Sequence, residues 1–298
     1  MTGAPETGRP PLRLRLAARG LDGVTLLVLP AVFFILALFI YPFLYGLVLS
    51  FEPAEGGSLA NYAKFFSDPF LYSTIGKTLW IAVPVTLLNV AISVPIAMRV
   101  RLMRRQRLLT TILVIPITLG TVLVAEGLLN YLGPRGWLNR VVLAAGLSSN
   151  PVRLVHNYWG VFLSLVITGF PFTFLLTLSY VTGIDPALEQ AGAMLGARAR
   201  QRFRTIILPL LVPGLLITFC LSFVQAFSVF PSAVLLGAPA GDTRVISVAA
   251  YTAAFEEYDY SMASAVAMVM AVVQVAIVAG LLGLQSLFYR GPAGGGKG

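Results

Sequence analysis

The sequence contains little charge and hardly any cysteine or histidine. Only 11% of its 298 residues are charged and 57% are hydrophobic, whereas a soluble domain carries about 25% charged residues. Cysteine and histidine occur once each, as Cys220 and His156. A disulfide framework, a thiolate metal site and a histidine-rich metal site are therefore excluded. The composition is that of an integral membrane protein.

The basic residues that produce the net charge of +9 are grouped beside apolar segments. Alternate loops lack such groups, which is the positive-inside pattern of membrane proteins and differs from the basic face of a nucleic-acid-binding protein. We therefore expect contact with membrane lipid and no nucleic-acid partner. The groups are Arg9, Arg13, Arg15 and Arg19; Arg99, Arg101, Arg104, Arg105 and Arg107; Arg198, Arg200, Arg202 and Arg204; and Arg290 with Lys297.

Six apolar segments are long enough to cross about 30 Å of hydrocarbon as helices. The basic groups place the 99–107 and 182–205 loops in the cytoplasm, together with an N-terminal segment, 1–23, and a flexible tail, 289–298. Both termini are then cytoplasmic, and residues 24–288 form an all-α membrane domain. The predicted spans are 24–49, 78–98, 108–131, 157–181, 206–229 and 262–288.

Motifs for catalysis are missing from the sequence. Gly76-Lys77-Thr78 looks like the end of a phosphate-binding P-loop, but the first glycine of that motif would fall at Leu71, and no strand precedes it. There is no HExxH or GxSxG sequence. We therefore expect a protein that is not an enzyme, has no ATPase site and binds no cofactor, so any ATP would be hydrolysed by another subunit.

The cytoplasmic loop 182–205 predicts a short helix. Asp185 is placed to cap it and Pro186 to occupy its first position. Leu188, Ala191 and Leu195 then form a narrow apolar stripe. Gly192 and Gly196 are four residues apart, so they are expected on one face that another protein could approach closely. A helix of two or three turns is marginal alone and is typical of one that docks into a partner's groove. Packing against its own bundle is the alternative.

The same loop resembles that of inner-membrane permease subunits of binding-protein-dependent ABC importers. Their motif is E-A-A-x-x-x-G, then nine residues, then I-x-L-P, and the spacing is fully kept here. Gln190 replaces the family's glutamate and Gly192 its second alanine, while Glu189 is the neighbouring carboxylate. The corresponding ATPase-coupling residues are Glu189, Gln190, Ala191, Gly192, Gly196, Ile206, Leu208 and Pro209.

This resemblance implies a six-helix type I ABC importer permease fold (MetI-like) with a short coupling helix, in a bacterial or archaeal inner membrane. It also implies three partners: a cytoplasmic ABC ATPase dimer, a second identical or homologous permease, and an extracytoplasmic substrate-binding protein. Some segments resemble the spermidine/putrescine branch, notably Gly136 to Arg140, the Pro171-Phe172 pair and Val245 to Ser247. Sugar or glycerol-phosphate importers share the loop motif and are the alternative.

Three residues are candidates for a substrate pathway. Glu126 is an acidic residue inside a predicted span, where carboxylates are expensive and often functional. Tyr131 and Phe227 could offer aromatic faces to a cation such as a polyamine. The alternative is that Glu126 reaches water or pairs with Asn130. A membrane enzyme would show convergent polar residues within its spans, and this sequence offers almost none. A secondary transporter or channel is a more remote interpretation.

Overall fold

The computed structural model describes residues 23–288 of the chain, and this part is helical with no β-strand. The predicted segments 1–23, apart from its last residue, and 289–298 lie outside the described residues. The helices are α1 Gly23–Ile35, α2 Tyr41–Leu49, α3 Ala60–Ser67, α4 Pro69–Val100, α5 Gln106–Leu132, α6 Trp137–Ala144, α7 Tyr158–Thr182, α8 Pro186–Met194, α9 Ala199–Arg202, α10 Leu208–Phe227, α11 Pro231–Leu235, α12 Ile246–Tyr251 and α13 Tyr260–Phe288. Three π-helical segments link neighbouring helices: Leu36–Ile40, Phe203–Ile207 and Thr252–Glu256.

Between residues 23 and 288, six helical segments are long and apolar enough to cross a membrane, as predicted. We number these spans in chain order. They are Leu27–Leu49, Pro69–Val100, Gln106–Ala144, Tyr158–Thr182, Ala199–Phe227 and Tyr260–Leu284.

The second span, α4, begins nine residues earlier than predicted, at Pro69 instead of residue 78. The Asp68 side chain accepts a hydrogen bond of 2.8 Å from the Phe70 backbone N–H and so caps the helix. Pro69 occupies the first position, where its missing N–H costs nothing. Since this cap lies within a stretch of mixed polarity, hydropathy alone did not reveal the start of the helix.

The centre of the bundle is formed by spans two, four and five. Phe65, Phe174, Phe223 and Phe227 are among its largest fully buried side chains. About two fifths of the most apolar window is buried in each of these three spans, against 0% in span one and 6% in span three. Spans one and three therefore present their apolar surfaces outward, to lipid or to another membrane subunit.

The third span is broken near its middle. Gly120 has φ 74° and ψ 161°, which are not helical angles, and it follows Pro116 by four residues. A positive φ of this kind is accessible to glycine at little cost. Span three is thus divided into two helical parts that meet at Gly120.

Candidate functional site

The loop helix α8 starts where the sequence predicts it. The Asp185 side chain accepts a hydrogen bond of 2.8 Å from the Ala187 backbone N–H, and Pro186 occupies the first turn. The side chain thus satisfies one of the backbone donors left free at a helix start. The cap fixes where the helix begins after the fourth span.

The helix ends in a glycine turn. Gly196 has φ +82°. The Ala197 N–H bonds to the Gly192 carbonyl at 3.0 Å, and the Gly196 N–H bonds to the Ala193 carbonyl at 2.9 Å. This pair of bonds is the Schellman motif, in which a left-handed residue ends a helix. Gly196 therefore lies beyond the helix and shapes the turn that leads to span five.

Gly192 faces the protein's own fifth span. It is buried, and a Cβ added there would lie 2.9 Å from Ile206 Cδ1 and 3.4 Å from the Arg202 side chain. The expectation that Gly192 and Gly196 share one open face is therefore wrong. Helix orientation is the reason, because α8 lays its Gly192 side against the start of span five. In this position Ile206 contacts the loop helix directly.

An ion pair fixes the loop helix to the loop after span two. The Glu189 carboxylate accepts a hydrogen bond from Arg101, and the two side chains are 26% and 8% exposed. Gln190, the residue aligned with the family's glutamate, is exposed. Glu189 is therefore used inside this chain and does not replace that glutamate on the outer surface. The two partners are 88 residues apart in sequence.

The opposite side of the loop helix is apolar and uncovered. Leu188 is 45% exposed, and Met194 and Leu195 are each 88% exposed; Ala191 is exposed beside them. The predicted stripe thus points away from the bundle. Of the remaining motif residues, Leu208 is half-buried and Pro209 lies exposed in the first turn of α10. We call Leu188, Ala191, Met194 and Leu195 the loop tip.

The three candidate pathway residues do not form one site. Glu126 is exposed, and Asn130 donates to its carboxylate at 3.4 Å. Tyr131 is 40% exposed and stacks on Trp137 with ring centroids 6.1 Å apart. Phe227 is fully buried in the largest core cluster, next to Phe223. Phe227 is therefore a packing residue and cannot line an open path in this conformation.

A polar cavity inside the bundle was missed by sequence reasoning. It is lined by the amides of Asn89 and Gln225 and by hydroxyls that include Thr168 and Ser222. The expectation that the spans offer almost no convergent polar residues is therefore wrong. Single Asn, Gln, Thr and Ser residues in an apolar span were the available signal, but only tertiary packing shows that they converge.

At the opposite end of the bundle, the long loop before span six is anchored by polar contacts. Lys77 Nζ donates to the Gly241 carbonyl at 2.9 Å, and the Ile246 N–H donates to Thr78 Oγ1 at 2.9 Å. The Arg244 guanidinium lies 3.8 Å above the Phe70 ring, and burial lowers the pKa of Arg244. Lys77, once a P-loop candidate, therefore ties this loop to span two.

Comparisons with known proteins agree with this architecture. A probable sulfate transport system permease protein, cysT, of Prototheca wickerhamii is 32% identical over 165 residues, which cover 55% of this chain and 62% of the relative. The spermidine/putrescine transport system permease protein PotB of Haemophilus influenzae is 29% identical over 215 residues, covering 69% of this chain and 73% of the relative. PotB of Escherichia coli K12 is 29% identical over 182 residues, covering 60% of this chain and 66% of the relative. The chain thus spans less than two thirds of the length of the algal relative.

Solved structures share the fold over nearly the full chain. A bacterial ABC transporter involved in the import of the acidic polysaccharide alginate matches with a TM-score of 0.76 and 20% identity, covering 93% of this chain and 99% of that one. The bacterial alginate ABC transporter in complex with an alginate pentasaccharide-bound periplasmic protein matches with a TM-score of 0.79 and 22% identity. This match covers 94% of this chain and 98% of that one. At this identity the likeness establishes the ABC importer permease fold.

The sequence profile described as "Binding-protein-dependent transport system inner membrane component" matches residues 23–291. The match takes in all six spans and the loop between the fourth and fifth. The chain therefore belongs to the family of inner-membrane components of binding-protein-dependent transport systems.

Proposed function

We propose that this protein forms half of the translocation pathway of an ATP-driven importer and that residues 185–209 couple it to a cytoplasmic ATPase. The observation that carries the proposal is the uncovered loop tip on a helix that is otherwise firmly held. Asp185 caps the helix, the Glu189–Arg101 ion pair fixes its side, and Gly196 ends it. Movement of the tip is then passed to the loop after span two and to span five.

The proposed assembly contains the partners that the resemblance implies. A second permease, identical or homologous, would cover the outward surfaces of spans one and three. An ATPase dimer would receive one loop from each permease, and an extracytoplasmic protein would deliver the cargo. Both termini and the 182–205 loop lie in the cytoplasm in this arrangement, as the arginine groups favour.

The loop tip is suited to burial in a partner's groove. Met194 and Leu195 are each 88% exposed, and full burial of such a side chain stabilises a contact by about 1.5–3 kcal/mol. An amphipathic helix that lays its apolar side into a groove is a common mode of recognition. ATP-driven closure of the ATPases would then move the loops as rigid bodies and switch access to the pathway.

The cargo has two candidate classes. The spermidine/putrescine relatives favour a polyamine, for which Glu126 would supply the opposing charge. A sugar or a glycerol phosphate is the second candidate, and a cavity inside the bundle that is lined by amides and hydroxyls favours a hydroxyl-bearing cargo.

Co-purification tests the coupling proposal. The double substitution Met194→Ser and Leu195→Ser removes most of the apolar loop tip and is expected to lower recovery of the co-expressed ATPase subunit at least tenfold. Leu147→Ser is the matched control, because Leu147 is 78% exposed but lies at the opposite end of the bundle. Equal recovery of the ATPase with the unsubstituted protein, the double variant and the control, together with uptake that does not depend on ATP, would favour a secondary transporter or channel.

A further inference from the structure

A small polar cavity lies near the middle of the bundle, between spans two, four and five. Its volume is about 90 Å³. Counted from Tyr158, the lining residues Thr168 and Gly169 are the eleventh and twelfth of the 25 residues in α7, so the cavity meets span four near its middle. Gln225, also in the wall, lies near the outer end of span five. The main polar side chains around it are Asn89, Thr121, Thr168, Thr173, Ser222 and Gln225.

Asn89 presents an unsatisfied amide to this cavity. Its side chain is only 2% exposed, and its Oδ1 has no hydrogen-bond partner in the described part of the protein. A buried amide without a partner is destabilising. A Cβ added at Gly169 would lie 2.9 Å from Asn89 Nδ2, so Gly169 leaves the space that the amide occupies. The protein thus keeps a costly polar group beside a cavity when an apolar side chain would be more stable.

Two further features point to the same cavity. Gln225, a second amide in its wall, is exposed and makes no side-chain hydrogen bond within the described residues. Thr121, also in its wall, directly follows the break of span three at Gly120. Broken backbone at membrane depth is tolerated where it is buried in protein or lines a polar space. Thr121 thereby brings the broken segment of span three into the wall of this cavity.

The wall chemistry selects the ligand class. Every polar side chain in the wall is an amide or a hydroxyl, and no lining residue is charged. An ammonium or a carboxylate would lose its hydration here without gaining an opposite charge, which is strongly unfavourable. Amides and hydroxyls both donate and accept hydrogen bonds, as the hydroxyl groups of a neutral solute also do.

We propose that this cavity binds an uncharged, hydroxyl-bearing part of the cargo, so that the importer carries a neutral sugar or polyol and not a polyamine. The cavity is large enough for several water molecules or for one or two hydroxyl-bearing carbons of a larger solute. The rest of the solute would lie in the shared pathway between the two permeases. This inference rests on the proposed transport function.

Uptake by the complete importer tests the ligand class. The permease pair, ATPase and binding protein are reconstituted in proteoliposomes containing ATP, and uptake of labelled sorbitol, mannitol, glucose, maltose and trehalose is compared with uptake of putrescine and spermidine. We expect ATP-dependent uptake of at least one neutral probe and none of the two amines. Uptake of either amine, or of no neutral probe, overturns the inference. Co-purification of the ATPase and its ATP hydrolysis report separately on the proposed function.

Substitution of the two amides tests the site itself. Asn89→Leu keeps the branched shape of the amide side chain and Gln225→Leu keeps a similar volume, and each is expected to raise the KM for the transported neutral probe about tenfold. Because the Asn89 amide has no partner, Asn89→Leu is also expected to leave thermal stability unchanged or raise it. Ser93→Ala, one turn away on α4 and outside the cavity wall, is the control for uptake and should leave the KM unchanged. An unchanged KM in both Leu variants, or a loss of stability that accompanies the loss of uptake, contradicts the assignment.

Discussion

The ion pair between Arg101 and Glu189 makes an asymmetric prediction for the loop helix. Glu189→Gln leaves the Arg101 cation, which is 8% exposed, without a carboxylate, and its Nε already lacks a partner. Arg101→Gln leaves Glu189, which is 26% exposed and can turn toward water. Loss of the glutamate should therefore weaken the attachment of the helix more than loss of the arginine.

The magnitudes follow from the burial of each partner. Removing one partner of a fully buried pair costs about 3–5 kcal/mol, and an exposed pair is worth about 0–1 kcal/mol. For this partly buried pair we expect about 2 kcal/mol for Glu189→Gln, below the fully buried range. Arg101→Gln should cost about 0.5–1 kcal/mol. These free energies refer to opening of the loop helix, because the pair ties that helix to another loop.

Hydrogen exchange of the backbone amides from 191 to 197 measures this opening. Glu189→Gln should accelerate exchange about thirtyfold and Arg101→Gln about two- to fivefold, since about 1.4 kcal/mol corresponds to a factor of ten. Arg198→Gln, an exposed substitution on the same loop, is the control. Equal acceleration of exchange by both variants, or no acceleration, would refute the reasoning. Amide exchange in the charge-reversed double variant, Arg101→Glu with Glu189→Arg, that is as fast as in Glu189→Gln would also refute it.

The remaining predictions concern three single positions. Gly196→Ala should destabilise the end of α8 by about 1–2 kcal/mol because of the positive φ, and Gly196→Asn should destabilise it by less. Hydrogen exchange of the 192–197 amides measures both effects. Gly196→Asp should uncouple the ATPase without preventing membrane insertion, and unchanged transport and ATPase recovery would contradict this. Gly169→Ala should displace the Asn89 amide and lower uptake of the neutral probe, whereas Gly127→Ala, where a Cβ would meet nothing within 4 Å, should not. Glu126→Gln should leave neutral-solute uptake unchanged, and a fall would return Glu126 to the pathway.

The six spans could be predicted from the sequence because each is a long apolar run, and its length and hydropathy are visible without any knowledge of tertiary contacts. The arginine groups likewise lie next to spans in sequence, so they predict sidedness directly. The starts of two spans were the exceptions. Span two begins at Pro69 because the Asp68–Pro69 cap precedes a stretch of mixed polarity, and span five begins at Ala199 instead of residue 206 because its first helical turns are rich in arginine. Local chemistry sufficed again at Asp185, where the cap and the following proline predict the start of α8.

The remaining features depend on contacts between distant segments. Whether Gly192 faces a partner or span five depends on how α8 lies against Ile206, and spacing within the helix cannot determine this. Glu189 and Arg101 are 88 residues apart, so their pairing requires the packed bundle. The cavity at Asn89 similarly needs three spans to converge, and each contributes only isolated polar residues in an apolar sequence.

The most direct test of the central claim is photo-crosslinking from the loop tip in the assembled importer. Because Cys220 is buried, Met194→Cys provides one accessible thiol for a benzophenone maleimide. Leu147→Cys, at a position that is 78% exposed, provides a matched thiol at the opposite end of the bundle. The account predicts that the label at 194 captures the ATPase subunit and that the label at 147 does not. Capture of the ATPase from 147, or of no ATPase from 194, would contradict it.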